Sequence, residues 1–318
     1  MTDFRPNARP VTLIGAPTDI GASRRGGSMG PEALRVAGLK QALCLMGLEV
    51  EDVGNLKGPA NPDARPSGGY RHLEETSEWC RSVHDACFQA FTSGTFPVLM
   101  GGDHSLAIGS IAAAANHCAA NGKSLCVLWL DAHADFNTPE TSPSGNIHGM
   151  PVAVVSGYGP ELLTAIGDSR PMLDPADIIQ LGIRSVDAVE KRNVVDSGLE
   201  VHDMRRIDER GMRRTMEDVL GKLSRRDCHL HVSFDVDFLD PSIAPGVATT
   251  VKGGPTYREA QLCMEMIYES GLMGSLDIME LNPAFDTRNQ TAELVVDLVK
   301  SLFGEQILSR HSHLKQAS

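Results

Sequence analysis

The sequence predicts an α/β protein: a three-layer α/β/α sandwich around a largely parallel central sheet. Two observations lead there. Short apolar runs alternate with amphipathic helical stripes along the whole chain, and several of the runs are continuously apolar rather than alternating. That is how parallel strands covered on both faces read. The style of alternation never changes, and neither a linker nor an internal repeat interrupts it. One domain over residues 1–318 is therefore expected.

The expected buried strands are Val11–Ala16, Leu48–Val53, Pro97–Met100, Leu125–Leu130, Ile178–Ile183, Leu230–Phe234 and Ser275–Met279, with a weaker one near Glu200–His202. Helical stripes lie between them. Trp79, Val83, Ala86, Cys87, Ala90 and Phe91 recur at helical spacing, and Gly94 follows as a stop. Met212, Met216, Val219, Leu220 and Leu223 form a second stripe. Thr256 and Glu259 have the spacing of a capping box ahead of Ala260, Cys263, Met264 and Ile267. Ala292, Val295, Val296, Val299 and Phe303 line a helix near the C-terminus. These stripes are core faces and call for no functional explanation. Pro59–Gly69, rich in Pro and Gly, reads as a surface loop, and about 311–318 as a polar tail.

Composition narrows the function. A hydrophobic content of 42% with 22% charged residues is ordinary for a globular protein. The formal net charge of −12 argues against nucleic acid as a partner and is compatible with a cationic small substrate. No apolar run approaches the ~18 residues that would span a membrane. The opening Met1–Asn7 has no basic patch followed by an apolar core, so no signal peptide is expected and a cytoplasmic location follows. The seven cysteines show no Cys-x-x-Cys spacing and read as reduced thiols filling the core.

The chemistry concentrates in three segments, each at the end of an expected strand: Gly101–Ser105, Asp131–Asp135 and Asp235–Asp237. They supply His104, Asp131, His133, Asp135, Asp235 and Asp237. In parallel sheets, ligands bind beyond the carboxyl ends of the strands, and all six residues fall there. A single Asp at a strand end is often only a turn former. Four Asp and two His converging on one sheet edge would repel one another unless cations sat among them. They are too many for one closed zinc site and suit two hard or borderline cations with bridging carboxylates. The i, i+2 spacing puts Asp131, His133 and Asp135 on one face if the backbone stays extended, and Asp235/Asp237 repeats it. Glu280 ends the apolar run Leu276–Met279 and needs a cationic partner there.

These segments resemble those of the arginase family of ureohydrolases. The likeness is carried by Gly101–Ser105, Asp131–Asn137, Ser144–Gly149, Ser233–Pro241 and Asp277–Glu280. It extends to Gly15–Pro17, Arg25–Gly27 and Gly30-Pro31, and so spans essentially the whole chain. The family fold is the same α/β/α sandwich. The resemblance implies two Mn²⁺ per subunit: one held by His104, Asp131, Asp135 and Asp235, the other by His133, Asp131, Asp235 and Asp237, with Asp131 and Asp235 bridging. Fe²⁺, Co²⁺ and Zn²⁺ remain open as alternatives. It implies hydrolysis of L-arginine to L-ornithine and urea by a metal-bridging hydroxide, with Asp135 steadying that hydroxide and His148 shuttling protons. Glu280 would hold the substrate guanidinium. Asn137, Ser144 and Asn146 match positions that contact the α-carboxylate, Asp187 the α-amino acceptor with Glu190 assisting, and Thr249 a pocket position near the reactive centre. Ser185 departs from the Asp found in some arginases. Apart from the resemblance, Arg24 and Arg25 could bind an anion but are read rather as ordering a loop or a subunit contact. The resemblance also implies a homo-oligomer, a trimer or hexamer.

Two other ureohydrolase activities compete, agmatinase and guanidino-acid hydrolase, and Ser144–His148 argues against them. A non-catalytic amino-acid-binding or scaffold homologue would have lost ligands that are all present. A two-metal phosphatase would want Lys or Arg where the loop offers Asn and Ser.

Overall fold

The computed structural model describes residues 9–62 and 68–308. The expected tail at about 311–318 and part of the Pro59–Gly69 loop lie outside the described residues.

Among the described residues eight strands form one sheet: β1 (Val11–Gly15), β2 (Val50–Asn55), β3 (Phe96–Met100), β4 (Ser124–Leu130), β5 (Ile178–Ile183), β6 (Glu200–Asp203), β7 (Cys228–Asp235) and β8 (Met273–Met279). Every expected strand, including the weak one at Glu200, is present within a few residues of its expected bounds. The order is β2-β1-β3-β8-β7-β4-β5-β6, and all seven pairings are parallel. The chain first builds the two outer flanks and then inserts β7 and β8 between β3 and β4. The four central strands are thus β3, β8, β7 and β4, and their C-terminal ends carry the chemistry-bearing segments.

Helices cover both faces and close two cores. Strand alternation divides β4 between them: Cys126, Leu128 and Leu130 point into one, Leu125, Val127 and Trp129 into the other. The first core packs under the helices Gly30–Val36, Leu39–Leu45, Met212–Leu223, Tyr257–Ser270 and Gln290–Leu302. The second packs under Leu73–Thr92 and Ala107–Ala120. Burying a Leu or Ile side chain there contributes about 1.5–3 kcal/mol. The capping box forms as expected: the Thr256 side chain accepts from the Glu259 N–H, and Glu259 reaches back to the Thr256 N–H. Six of the seven cysteines are buried free thiols, and Cys44 is the exposed one.

Two strands differ from expectation. β2 is not a buried strand but alternates between half-buried and exposed residues, because it is an edge strand paired only with β1. β7 is buried throughout yet apolar on one face only. Leu230, Val232 and Phe234 join the first core, while His229, His231 and Ser233 line the opposite face. There His231 Nδ1 pairs with the Ser275 hydroxyl, and His231 Nε2 and Ser110 donate to Asp277. Asp277 is therefore part of a buried structural network. Among the described residues no helix is long and apolar enough to cross a membrane.

Candidate metal centre

After β3 the chain must pass very close to its neighbours. A Cβ at Gly102 would lie 1.6 Å from the Thr18 carbonyl oxygen, so only glycine fits. Asp103 then caps a short 3₁₀ turn, His104–Leu106, by accepting from the Ser105 N–H. Asp235 does the same for Val236–Phe238, accepting from the Asp237 N–H at 2.7 Å. Asp131 accepts from the His133 N–H at 2.6 Å. Asp135 has φ of 49° and Glu280 φ of 62°, left-handed values that non-glycine residues rarely adopt.

These turns correct the expectation of extended i, i+2 rows. Each aspartate captures an N–H two residues on and pulls the chain out of the strand. The six side chains still converge, by turns rather than by pleat. Their role as turn formers and their convergence are both true.

His104 Nδ1 lies 3.2 Å from Asp131, 3.5 Å from Asp135 and 3.0 Å from Asp235. His133 Nδ1 lies 3.5 Å from Asp131 and 3.0 Å from Asp237. Two donor groups meet closely enough to share an ion each: His104 with Asp131 and Asp135, and Asp131 with His133 and Asp237. Asp131 belongs to both. Its Oδ2 faces His104 and its Oδ1 faces His133. Asp235 joins through His104 Nδ1 on one oxygen and the Asp237 N–H on the other. All four aspartates are buried, Asp131 completely.

The electrostatics ask for cations. Burial opposes charge on Asp131, but His104 and His133 outweigh it and hold the carboxyl below its ordinary range. Burial and neighbouring aspartates push Asp135 and Asp235 well up. A divalent ion among them would supply the missing positive charge. Carboxylate and imidazole donors suit Mn²⁺ and its borderline neighbours, so the residues fit the group.

Glu280 Oε1 accepts from the His104 N–H at 2.9 Å and pairs with His148 Nδ1 at 2.8 Å. Burial disfavours both charges. The pair nevertheless holds the Glu280 carboxyl below, and the His148 imidazolium above, their ordinary values.

A cavity of about 150 Å³ opens over these groups. It is lined by His133, Asp135, His148, Asp235 and Glu280, and also by Asn137, Ser144, Asn146, Asp187, Glu190 and Thr249. All seven residues expected to contact substrate, Glu280 among them, therefore face one space. Asn137 Nδ2 donates to Asp187 at 3.2 Å, and Thr249 donates to Asp237 at 3.0 Å. Glu190 also holds backbone around the cavity. Its two carboxylate oxygens accept from the Phe136 and Asp187 N–H groups, at 2.8 and 3.0 Å, so it braces the two loops that flank the cavity.

Comparison with known proteins settles the family. The model of the Arginase family matches residues 9–304. The chain is 45% identical to the arginase of Agrobacterium fabrum over 300 residues, covering 94% of this chain and 92% of that one. It is 42% identical to the arginase of Bacillus caldovelox, covering 94% and 100%. The native structure of that Bacillus caldovelox enzyme superposes with a TM-score of 0.91. The chain belongs to the arginase family.

Several parts of this arginase-family site were not singled out from sequence. Trp129 donates to Asp131 Oδ2 at 2.8 Å and stacks on His104 with ring centroids 4.0 Å apart. Ser233 meets His104 Nε2 at 2.9 Å, which leaves Nδ1 facing the carboxylates. Arg71 donates to Asn146 at 3.0 Å and ties down the Ser144–Gly149 segment. The Arg184 guanidinium binds the carbonyls of Gly182, Asp237, Phe238, Leu239 and Val251 and fixes the turn that carries Asp237. In sequence these residues look like ordinary core or loop positions; only their proximity to a ligand distinguishes them. Arg25 pairs with Asp19 at 3.2 Å, and Arg24 donates to the Ala248 carbonyl at 2.7 Å. Each thus contacts a neighbouring loop.

Proposed function

We propose that this arginase-family ureohydrolase cleaves L-arginine to L-ornithine and urea with two Mn²⁺ per chain. One ion would lie among His104, Asp131, Asp135 and Asp235, the other among Asp131, His133, Asp235 and Asp237. The observation that carries this reading is the Asp131 carboxylate, which presents one oxygen to each histidine, beneath a cavity that also holds Glu280 and His148.

A guanidinium carbon is stabilised by delocalisation, and its amine is a poor leaving group. When bound, the two cations would supply Lewis-acid charge that makes water a competent nucleophile at neutral pH. The protein's own groups do the rest. Glu280 takes the planar guanidinium, whose paired N–H donors match a carboxylate, and presents its carbon to the aspartates. Asp135, facing the cavity beside His104, receives the proton that water gives up. Oxygen bonds to the guanidino carbon, and the bond from that carbon to the side-chain nitrogen breaks. His148, 2.8 Å from Glu280, delivers the proton that the leaving amine needs. At the far end, Asn137, Ser144 and Asn146 offer neutral donors to the α-carboxylate, and Asp187 accepts from the α-amino group. Free thiols throughout suit the reducing cytoplasm.

Urea release by the Mn²⁺-loaded protein, with L-arginine and agmatine assayed side by side, tests the reading. Strong preference for L-arginine is the expected result. Preference for agmatine would keep the two-metal chemistry and overturn the carboxylate roles of Asn137, Ser144 and Asn146.

A further inference from the structure

Gln180 is a polar side chain where the fold asks for an apolar one. It sits on β5 among Ile178, Ile179, Leu181 and Ile183 and is fully buried. Its Nε2 donates to the Ala134 carbonyl at 2.6 Å. Its Oε1 has no hydrogen-bond partner among the described residues. A half-paired amide in a buried parallel strand costs stability, so an apolar residue of the same size would serve the sheet better. What the amide does have is a grip on the carbonyl just before Asp135.

That grip matters because Asp135 holds a left-handed φ of 49°. Such a conformation persists only when its surroundings over-determine it. The backbone on both sides of Asp135 is anchored. Gln180 holds the Ala134 carbonyl, and the Val152 N–H holds the Asp135 carbonyl at 3.0 Å. Glu190 holds the Phe136 N–H at 2.8 Å. Of these anchors, only Gln180 comes from beneath, out of the sheet itself. It stands beside Trp129 in the β4–β5 register, and Trp129 in turn holds Asp131.

We infer that Gln180 is a positioning residue: through the Ala134 carbonyl it keeps Asp135 turned toward His104 and Asp131. This inference rests on the proposed metal site. It predicts that Gln180 sets the affinity of the ion nearest Asp135 and the turnover, and leaves substrate binding alone.

The test is Gln180→Met, similar in volume and without the donor. Mn²⁺ binding is followed by the electron paramagnetic resonance of free Mn²⁺, and kcat and KM by urea release. In the variant, one of the two ions should bind at least tenfold more weakly and kcat should fall at least tenfold, with KM unchanged and thermal stability equal or higher. Asp135→Ala should weaken the same ion, and the double variant should add little to it, because the two residues act as one unit. Should Gln180→Met not fold, Gln180→Asn keeps an amide that is too short to reach the carbonyl, and the same losses are expected. Wild-type ion affinity and kcat in an active background would overturn the role of Gln180 alone, as would a change in KM only or full additivity with Asp135→Ala. A wild-type protein that binds no Mn²⁺ and releases no urea would overturn the functional reading, and this inference with it.

Discussion

His148 Nδ1 and Glu280 Oε1 lie 2.8 Å apart at the floor of the cavity. One side chain comes from a 3₁₀ turn, Ile147–Gly149, and the other from the residue just after β8. Each favours the other's charged form. In the proposed mechanism, a guanidinium arriving at Glu280 would compete with His148 for the same carboxylate and would free an imidazolium beside the nitrogen that must be protonated. Replacing His148 with Ala should lower kcat for L-arginine by about a hundredfold or more, the range typical of a lost general acid. Metal content should stay at the wild-type level. Unchanged turnover across pH would remove His148 from the proton path.

Asp187 faces the cavity and accepts from Asn137. In the proposed reading, its carboxylate would take the α-ammonium group at the end of the substrate away from Glu280. A hydrogen bond to a charged partner contributes about 1.5–3 kcal/mol. Asp187→Ala should therefore raise KM for L-arginine about tenfold or more, with a smaller change in kcat. Equal loss in kcat with KM unchanged would move Asp187 from binding into the chemical step.

A third prediction concerns stability rather than turnover. Buried His229 touches Ser275 at 2.9 Å and packs edge-on to Phe91 and His117. Burial first, then His231, His117, Arg9 and Lys123, hold its pKa well below the ordinary 6.5. The unfolded chain binds a proton at this position below pH 6.5 that the folded protein refuses. Its contribution is therefore fully present above that pH and falls away as pH drops toward the folded-state value. Urea unfolding of wild type and His229→Gln at two pH values, one above and one below 6.5, should show a shallower acid loss in the variant. Parallel slopes would mean that His229 titrates alike in both states.

Much of this architecture is legible in the sequence. Continuous apolar runs announced the parallel sheet, and clustered Asp and His at their ends announced the metal centre. Three kinds of feature were not legible, each for a tertiary reason. β2 looked like a buried strand because apolar content does not reveal an edge position. The polar face of β7 finds its partners only after folding: His229 and His231 meet Ser275 and Asp277 of β8, and Ser233 meets His104. The left-handed backbone at Asp135 depends on Gln180, Val152 and Glu190, which are distant in sequence and adjacent only after folding.

The central claim is that one carboxylate serves two ions, and it is tested most directly at Asp131. Metal analysis of Mn²⁺-loaded, exhaustively dialysed protein should find two ions per chain in the wild type. Asp131→Ala, which removes the group facing both His104 and His133, should retain neither tightly. Two tightly bound ions in that variant would contradict the shared site.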